Sequence, residues 1–259
     1  MSQGQLNIVL CKSFSNDNET IDIYRKIFEN AGYNFEYLPT ICFLFINQSE
    51  LEKCLFNSNS YSGMILTSPR SVEAVKLILT KNPNILDKWK EYPIYCIGTS
   101  TENLVKKYLN LSNCYGSHCG NSENLAKFII NDFKLKKKSL LYPCSEISRD
   151  TIENYLLKNE YQIEKIISYK TMPCETLHND IERIFKLIPE IIVFFSPSIV
   201  NNLLLALGER AKILNEIKII AIGSITEQSL INSGFTVNGV SEKPEPESLL
   251  KIVESIRLK

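Results

Sequence analysis

The chain has 259 residues, 44% hydrophobic and 22% charged, with 29 basic and 29 acidic side chains in formal balance. That is enough chain for one large domain or two modest ones, and the zero net charge argues against a dedicated nucleic-acid or polyanion binder. The densest basic run, Lys134 to Lys138, is interrupted by Leu135 and reads as a solvated connection. No segment has the length of a membrane span and "MSQGQLNIVL" lacks a charged-then-apolar leader pattern, so the cytoplasm is the expected compartment. The eight cysteines are scattered without a C-x-x-C pair, and several fall in apolar runs where a free thiol behaves as a small hydrophobe. "CYGSHC" could be half a zinc site, but nothing else supplies matching ligands, so no metal is expected.

In chain order, "LNIVLC" (Leu6 to Cys11) precedes a helical pattern from Glu19 to Ala31 with Ile21, Ile27 and Phe28 inward. "GMILT" precedes a helix opening at Pro69, "PIYCIG" precedes one over Glu102 to Leu109, and "NSENLAKFII" is a further helix. The pattern restarts with "SLLYPC", a helix around Thr151 to Lys158, and "IEKIISYKT". It continues through "EIIVFFSPS", "IKIIAIGS" and a last helix over Glu247 to Ile256. Strands this uniformly apolar suit parallel sheets covered by helices on both faces. Alternation of this kind means an α/β class.

The chain also carries an imperfect internal repeat. "ILTSPRSVEAV" (from Ile65) matches "VFFSPSIVNNL" (from Val193), each a strand, Ser-Pro and a helix. "YCIGTSTENLV" (from Tyr95) matches "IAIGSITEQSL" (from Ile220), with Thr101 and Thr226 each three residues past a Gly. "GNSENLAKFI" matches "PEPESLLKIV", and "SLLYPC" takes the role of "LNIVLC". Two related α/β halves follow.

Each repeated junction has a physical reading. Ser68 and Ser196 suit the N-cap, with Pro69 and Pro197 at the first helical position. "TSTE" and "SITE" both fit a capping box, and Gly98 and Gly223 permit a sharp turn out of the strand. In parallel α/β sheets, ligands sit beyond the carboxyl ends of the strands, where all these junctions lie. Helix N-termini there favour carboxylate or phosphate. Two facing halves would form a cleft lined by four such junctions plus "CGNS" and "PCSE", suited to a multiply anionic small molecule.

Familiar catalytic signatures are absent. There is no G-x-G-x-x-G, Walker loop or G-x-S-x-G, and the two histidines, His118 and His178, sit in no repeated junction. A site without an obvious nucleophile points to a binding module or to an enzyme whose substrate is intrinsically reactive.

"LTSPRSVEAV", "CIGTSTENL", "CGNSENLA", "LLYPCSEISRDTI", "ISYKT", "VFFSPS" and "AIGSITEQSL…EKPEPESLL" resemble, in order and spacing, the signature segments of the uroporphyrinogen-III synthase family. The resemblance covers nearly the whole chain. It implies two similar parallel-sheet α/β domains joined by a two-stranded connection, with a cleft between them. Residues 1–38 and 174–259 would form a discontinuous first domain, 39–51 and 166–173 the connecting strands, and 52–165 the second domain. The implied activity is that of a cyclising hydro-lyase of haem biosynthesis. It dehydrates and closes hydroxymethylbilane, a linear tetrapyrrole polycarboxylate, with inversion of ring D and without cofactor or metal.

By the same resemblance Tyr169 is the candidate acid that protonates the leaving hydroxyl. The plainer alternative is an ordinary amphipathic strand tyrosine. A phenol's usual pKa near 10 makes it a weak acid, so modest assistance is expected. Thr67, Ser68, Thr101, Gly120, Asn121, Ser196, Ser198, Ser224 and Thr226 are expected to hold substrate, and Arg70 either pairs a carboxylate or faces solvent. "PCSEIS" departs from the family with Ser145-Glu146 where Gly-Asn is usual, and Glu146 would repel an anion if it faced the cleft; Ser224-Ile225 also departs. The expected partners are the substrate and transient contact with hydroxymethylbilane synthase, with no nucleic acid or membrane and the protein a monomer. Two competing classes are a non-catalytic bilobal tetrapyrrole- or anion-binding protein and a two-lobed glycosyl- or nucleotidyl-transferase. The second is disfavoured by the missing phosphate loop and acidic metal ligands.

Overall fold

A computed structural model describes residues 7–13, 23–132 and 138–257. The chain opens with β1 (Asn7–Cys11), α1 (Ile23–Asn30) and β2 (Asn34–Tyr37). It continues through β3 (Ile41–Phe45), α2 (Gln48–Phe56), β4 (Tyr61–Leu66), α3 (Pro69–Lys81), β5 (Ile94–Cys96), α4 (Thr99–Leu104) and β6 (Cys114–Tyr115). Then come α5 (Ser122–Ile130), β7 (Ser139–Ser145), α6 (Thr151–Lys158) and the long β8 (Ile163–Pro173). The last part holds α7 (Leu177–Ile184), β9 (Ile191–Phe194), α8 (Pro197–Leu207), β10 (Lys218–Ala221), α9 (Ser224–Asn232), β11 (Gly239–Val240) and α10 (Pro246–Arg257).

Contacts divide this chain into two compact units, one running to Cys42 and resuming at Met172, the other Phe43–Thr171. The first unit's sheet has the order β11-β10-β9-β1-β2, every pairing parallel. The second unit's sheet has the order β3-β8-β7-β4-β5-β6, and β8, β7, β4, β5 and β6 pair in parallel. Setting β2-β1-β9-β10-β11 against β8-β7-β4-β5-β6 matches strand for strand the repeat in the sequence. The repeat is therefore the sheet order itself.

Period-two alternation assigns each side chain of the second unit to one of two cores. Met64 and Leu66 of β4 pack with Val72, Val75 and Ile78 of α3. Ile65, between them, packs on the other face with Tyr142 of β7 and Ile152 and Leu156 of α6. All six residues of β4 are buried, and each large apolar side chain so buried contributes about 1.5–3 kcal/mol. Helices leaving β4 and β7 thus cover opposite faces. That makes the gap between these neighbouring strands the topological switch point, where an open parallel sheet leaves a crevice. In the first unit α1 and α10 cover one face, with Phe28 and Val253 against Ile8, Leu10, Ile191 and Val193.

Several expectations need correction. Ser68 and Ser196 do cap α3 and α8, each accepting a backbone N–H from three residues on, with Pro next in the chain. "TSTE" and "SITE" form no capping box: α4 and α9 start one residue early, so Gly98 and Gly223 occupy the N-cap without a side chain to offer. Gly98 takes the left-handed region at φ 77, but Gly223 is extended at φ −179, which any residue adopts. The first helix is described only from Ile23, so the expected start at Glu19 lies outside the described residues, as does most of the Lys134–Lys138 run. The expected connecting strand over 39–51 is β3 alone, because Asn47 turns left-handed (φ 52) and α2 begins at Gln48. The π-helical turn Val105–Leu109 completes the helix expected over Glu102 to Leu109.

The cysteines are not all free thiols. Cys42 and Cys174 form a disulfide with Cα atoms 5.0 Å apart, whereas Cys11, Cys54, Cys96, Cys119 and Cys144 are free and buried. No sequence motif marks this pair, which strand pairing alone brings together. Among the described residues no cluster of three or more His, Cys, Asp or Glu is placed to hold a metal, and no helix is long and apolar enough to cross a membrane.

Candidate active site

A cavity of about 560 Å³ opens at the carboxyl end of the second unit's sheet, at the β4/β7 switch point. Thr67, just past β4, and Tyr142 and Ser145, at the end of β7, line it together with Gly120, Asn121, Arg149, Thr151 and Tyr169. Its volume falls in the usual range for small-molecule sites. Asn121 caps α5, its Oδ1 accepting the Asn124 N–H at 2.9 Å, and Thr151 is the first residue of α6. Two helix N-termini and the Arg149 guanidinium therefore border the cavity, a setting that favours carboxylates. The anion on its rim, Glu123, is engaged by Lys127 Nζ at 2.7 Å and Tyr155 Oη at 2.8 Å. The bond from Lys127 holds its carboxyl below the usual range.

Tyr169 reaches the cavity through a break in strand register. β7 and β8 pair one to one as far as Cys144 with Ile167, and then Ser145 faces Tyr169, leaving Ser168 as an extra residue. A bulge of this kind bends a strand and re-aims the side chain that follows. The Tyr169 side chain is 7% exposed, and its Oη lies 2.9 Å from Ser68 Oγ. The Phe43 ring meets it edge-on, with centroids 6.2 Å apart. The second phenol, Tyr142, is 2% exposed. Burial pushes its hydroxyl up to about 12, a hydrogen bond with the Thr67 side chain opposing that shift. Tyr142 is therefore neutral near pH 7.

Of the residues expected to hold substrate, Thr67, Gly120 and Asn121 share this cavity with Tyr169, the expected acid. Ser68 joins them through Tyr169. Arg70 pairs with the Glu73 carboxylate on its own helix, and its guanidinium lies 4.2 Å from the centre of the Phe43 ring. Thr101 and Thr226 are buried, at 2% and 3% exposed, because the third helical position turns inward. In the first unit Ser196 Oγ lies 3.0 Å from Ser198 Oγ beside the α8 cap, and Ser224 is exposed at the start of α9. Glu146 is exposed and its backbone N–H donates to the Tyr169 carbonyl at 3.0 Å. Tyr142, Ser148 and Arg149 were not among the expected site residues. Their signal was "LLYPCSEISR" itself, a buried strand ending in a polar loop with a single arginine.

A family model described as uroporphyrinogen-III synthase HemD matches residues 22–251. The uroporphyrinogen-III synthase of Schizosaccharomyces pombe is 30% identical over 240 residues, 90% of this chain and 91% of that protein. This chain belongs to the uroporphyrinogen-III synthase family. A second uroporphyrinogen-III synthase, from Saccharomyces cerevisiae, is 27% identical over 76% of each chain. Solved structures share the fold at lower identity. The uroporphyrinogen-III synthetase of Helicobacter pylori gives a TM-score of 0.62 at 17% identity, covering 98% of this chain and 100% of its own. A mutant uroporphyrinogen III synthase of Thermus thermophilus gives 0.59 at 14%, with the same coverage. Membership of the uroporphyrinogen-III synthase family rests on the sequence matches, and these structures add the α/β architecture.

Proposed function

We infer that this chain converts hydroxymethylbilane to uroporphyrinogen III, dehydrating and cyclising the linear tetrapyrrole with inversion of ring D, and that the cavity on the second unit is where its hydroxyl is lost. The observation that carries the site assignment is Tyr169 lining that cavity with its hydroxyl 2.9 Å from Ser68 Oγ. In this reading Tyr169 donates its proton to the leaving hydroxyl as the C–O bond breaks. The electron-rich pyrrole supplies the push, water departs, and a protonated azafulvene remains beside the Tyr169 phenolate, which regains a proton when the pyrrole carbon that closes the macrocycle loses its own. Ring D attacks through a substituted carbon to give a spiro intermediate, which reopens and closes in the inverted sense. Positioning contributes more than covalent chemistry here, because the substrate is reactive by itself.

Arg149 and the N-termini of α5 and α6 are assigned to substrate carboxylates, with Thr67 and Asn121 as hydroxyl and amide partners. Ser196, Ser198 and Ser224 of the first unit are assigned the same task. Thr101 and Thr226, buried at their helix starts, are assigned to shaping these junctions. The internal repeat supplies both sets of junctions from one chain, which supports a monomer; we place it in the cytoplasm, meeting hydroxymethylbilane synthase only transiently. Sedimentation of the pure protein, alone and with that enzyme, tests the monomer and the contact.

The deciding assay supplies freshly prepared hydroxymethylbilane and separates product isomers by chromatography. Type III product is expected well above the spontaneous background. Formation of type I alone, at the spontaneous rate, would overturn the assignment.

A further inference from the structure

Tyr169 is held in place by two serines that come from distant parts of the chain. Ser168 is fully buried and is the extra residue of the β8 bulge. Its Oγ donates to the Cys144 carbonyl on β7 at 3.2 Å, and its own carbonyl accepts the Ile46 N–H at 3.0 Å. The bulge is thus pinned from both sides at the point where the ladder is interrupted. Without the extra residue Ser168 would face Ser145, and Tyr169 would turn to the opposite side of the sheet. On the other side of the phenol, Ser68 Oγ accepts the Ser71 N–H at 3.2 Å, while the Ser71 hydroxyl donates to the Ser68 carbonyl at 2.7 Å. These bonds hold Ser68 Oγ from α3, and the phenol oxygen lies 2.9 Å from it, a pair in which the geometry allows either hydroxyl to donate.

We propose that Ser68 and Ser168 are positioning residues for Tyr169: Ser168 locks the bulge that aims the ring, and Ser68 donates to the phenol oxygen so that the phenol's own proton faces the cavity. The proposal rests on the reading of Tyr169 as proton donor. Once that proton has left for the departing hydroxyl, the Ser68 bond strengthens against the phenolate oxygen, since hydrogen bonds to a charged acceptor are the stronger kind. Both serines act through Tyr169, so their removal should slow turnover without weakening substrate binding.

The test compares Ser68→Ala and Ser168→Val, each alone and combined with Tyr169→Phe, in steady-state conversion of hydroxymethylbilane. Each serine variant should lower kcat on the order of 10-fold, as small misplacements of a reacting group do, with KM within about twofold of the parent. In the Tyr169→Phe background neither should lower it further, and Ser68→Thr and Ser168→Thr should restore most of the loss. Equal losses in both backgrounds, or unchanged kcat in the single variants, would overturn the proposal. A crystal structure of Ser168→Val gives a readout independent of catalysis: the Tyr169 ring should leave Ser68, and an unmoved ring would overturn the role of Ser168. If that variant does not fold, Ser168→Ala, which removes the bond to the Cys144 carbonyl with a smaller side chain, replaces it in both measurements with the same expected and overturning results. Should Tyr169→Phe alone leave turnover unchanged while the ring still moves, the proton-donor reading fails and the positioning geometry stands.

Discussion

Tyr142 and Tyr169 line the same cavity in different surroundings. Burial pushes the Tyr142 hydroxyl up to about 12, so it releases a proton less readily than a free phenol, while Tyr169 bonds a serine at 2.9 Å on the cavity wall. Tyr169→Phe is expected to lower kcat about 10- to 100-fold, the low end of general-acid effects, leaving a measurable residual rate because the substrate ionises unaided. Tyr142→Phe should change kcat far less. It should instead alter stability at high pH. A phenol whose folded-state value is raised keeps its full contribution below the unfolded value near 10 and loses it as pH climbs through about 12. Urea denaturation across pH 8 to 12 should therefore show the parent losing up to about 2–3 kcal/mol relative to Tyr142→Phe above pH 10.

At the scale of elements, the second unit is organised around β4, whose strand-to-strand approach depends on Gly63. A Cβ built there would lie 2.8 Å from the Pro93 carbonyl oxygen and 3.1 Å from Leu140 Cδ2. That carbonyl accepts the Met64 N–H at 3.0 Å, so it cannot move away without losing a ladder bond. Gly63→Ala is expected to destabilise by about 1–3 kcal/mol, the cost of overpacking a tight core, measured as a lower urea midpoint. Elements with a strong local pattern were readable. The Ser-Pro starts of α3 and α8 fall where spacing put them, because a cap is a bond between residues three apart. α2 and α7 were missed, being short helices with mixed polarity beside stronger strands.

At the scale of the molecule, the Cys42–Cys174 disulfide spans 132 residues, a loop that contains the whole second unit. Closing a loop of that length restricts the unfolded chain, and the chain-entropy argument puts the effect at about 5 kcal/mol. Thermal unfolding with a dithiol reductant should show a clearly lower Tm than without. Cys42→Ser should melt at the lower temperature and ignore the reductant, and equal melting in all three cases would show the bond contributes nothing.

The sequence by itself determined the α/β class, the repeated halves, the serine caps and the family, since each is a matter of spacing along the chain: two for strands, three to four for helices, and ordered motifs. Only the tertiary structure decided what surrounds Tyr169. Its bond to Ser68 joins residues 101 apart, and its aim depends on a register shift against β7. Arg149 lines the cavity, and Arg70 lies against Glu73 and Phe43, for the same reason. Which side chains meet at a sheet's switch point is set by strand order and register, and neither is a property of any single segment.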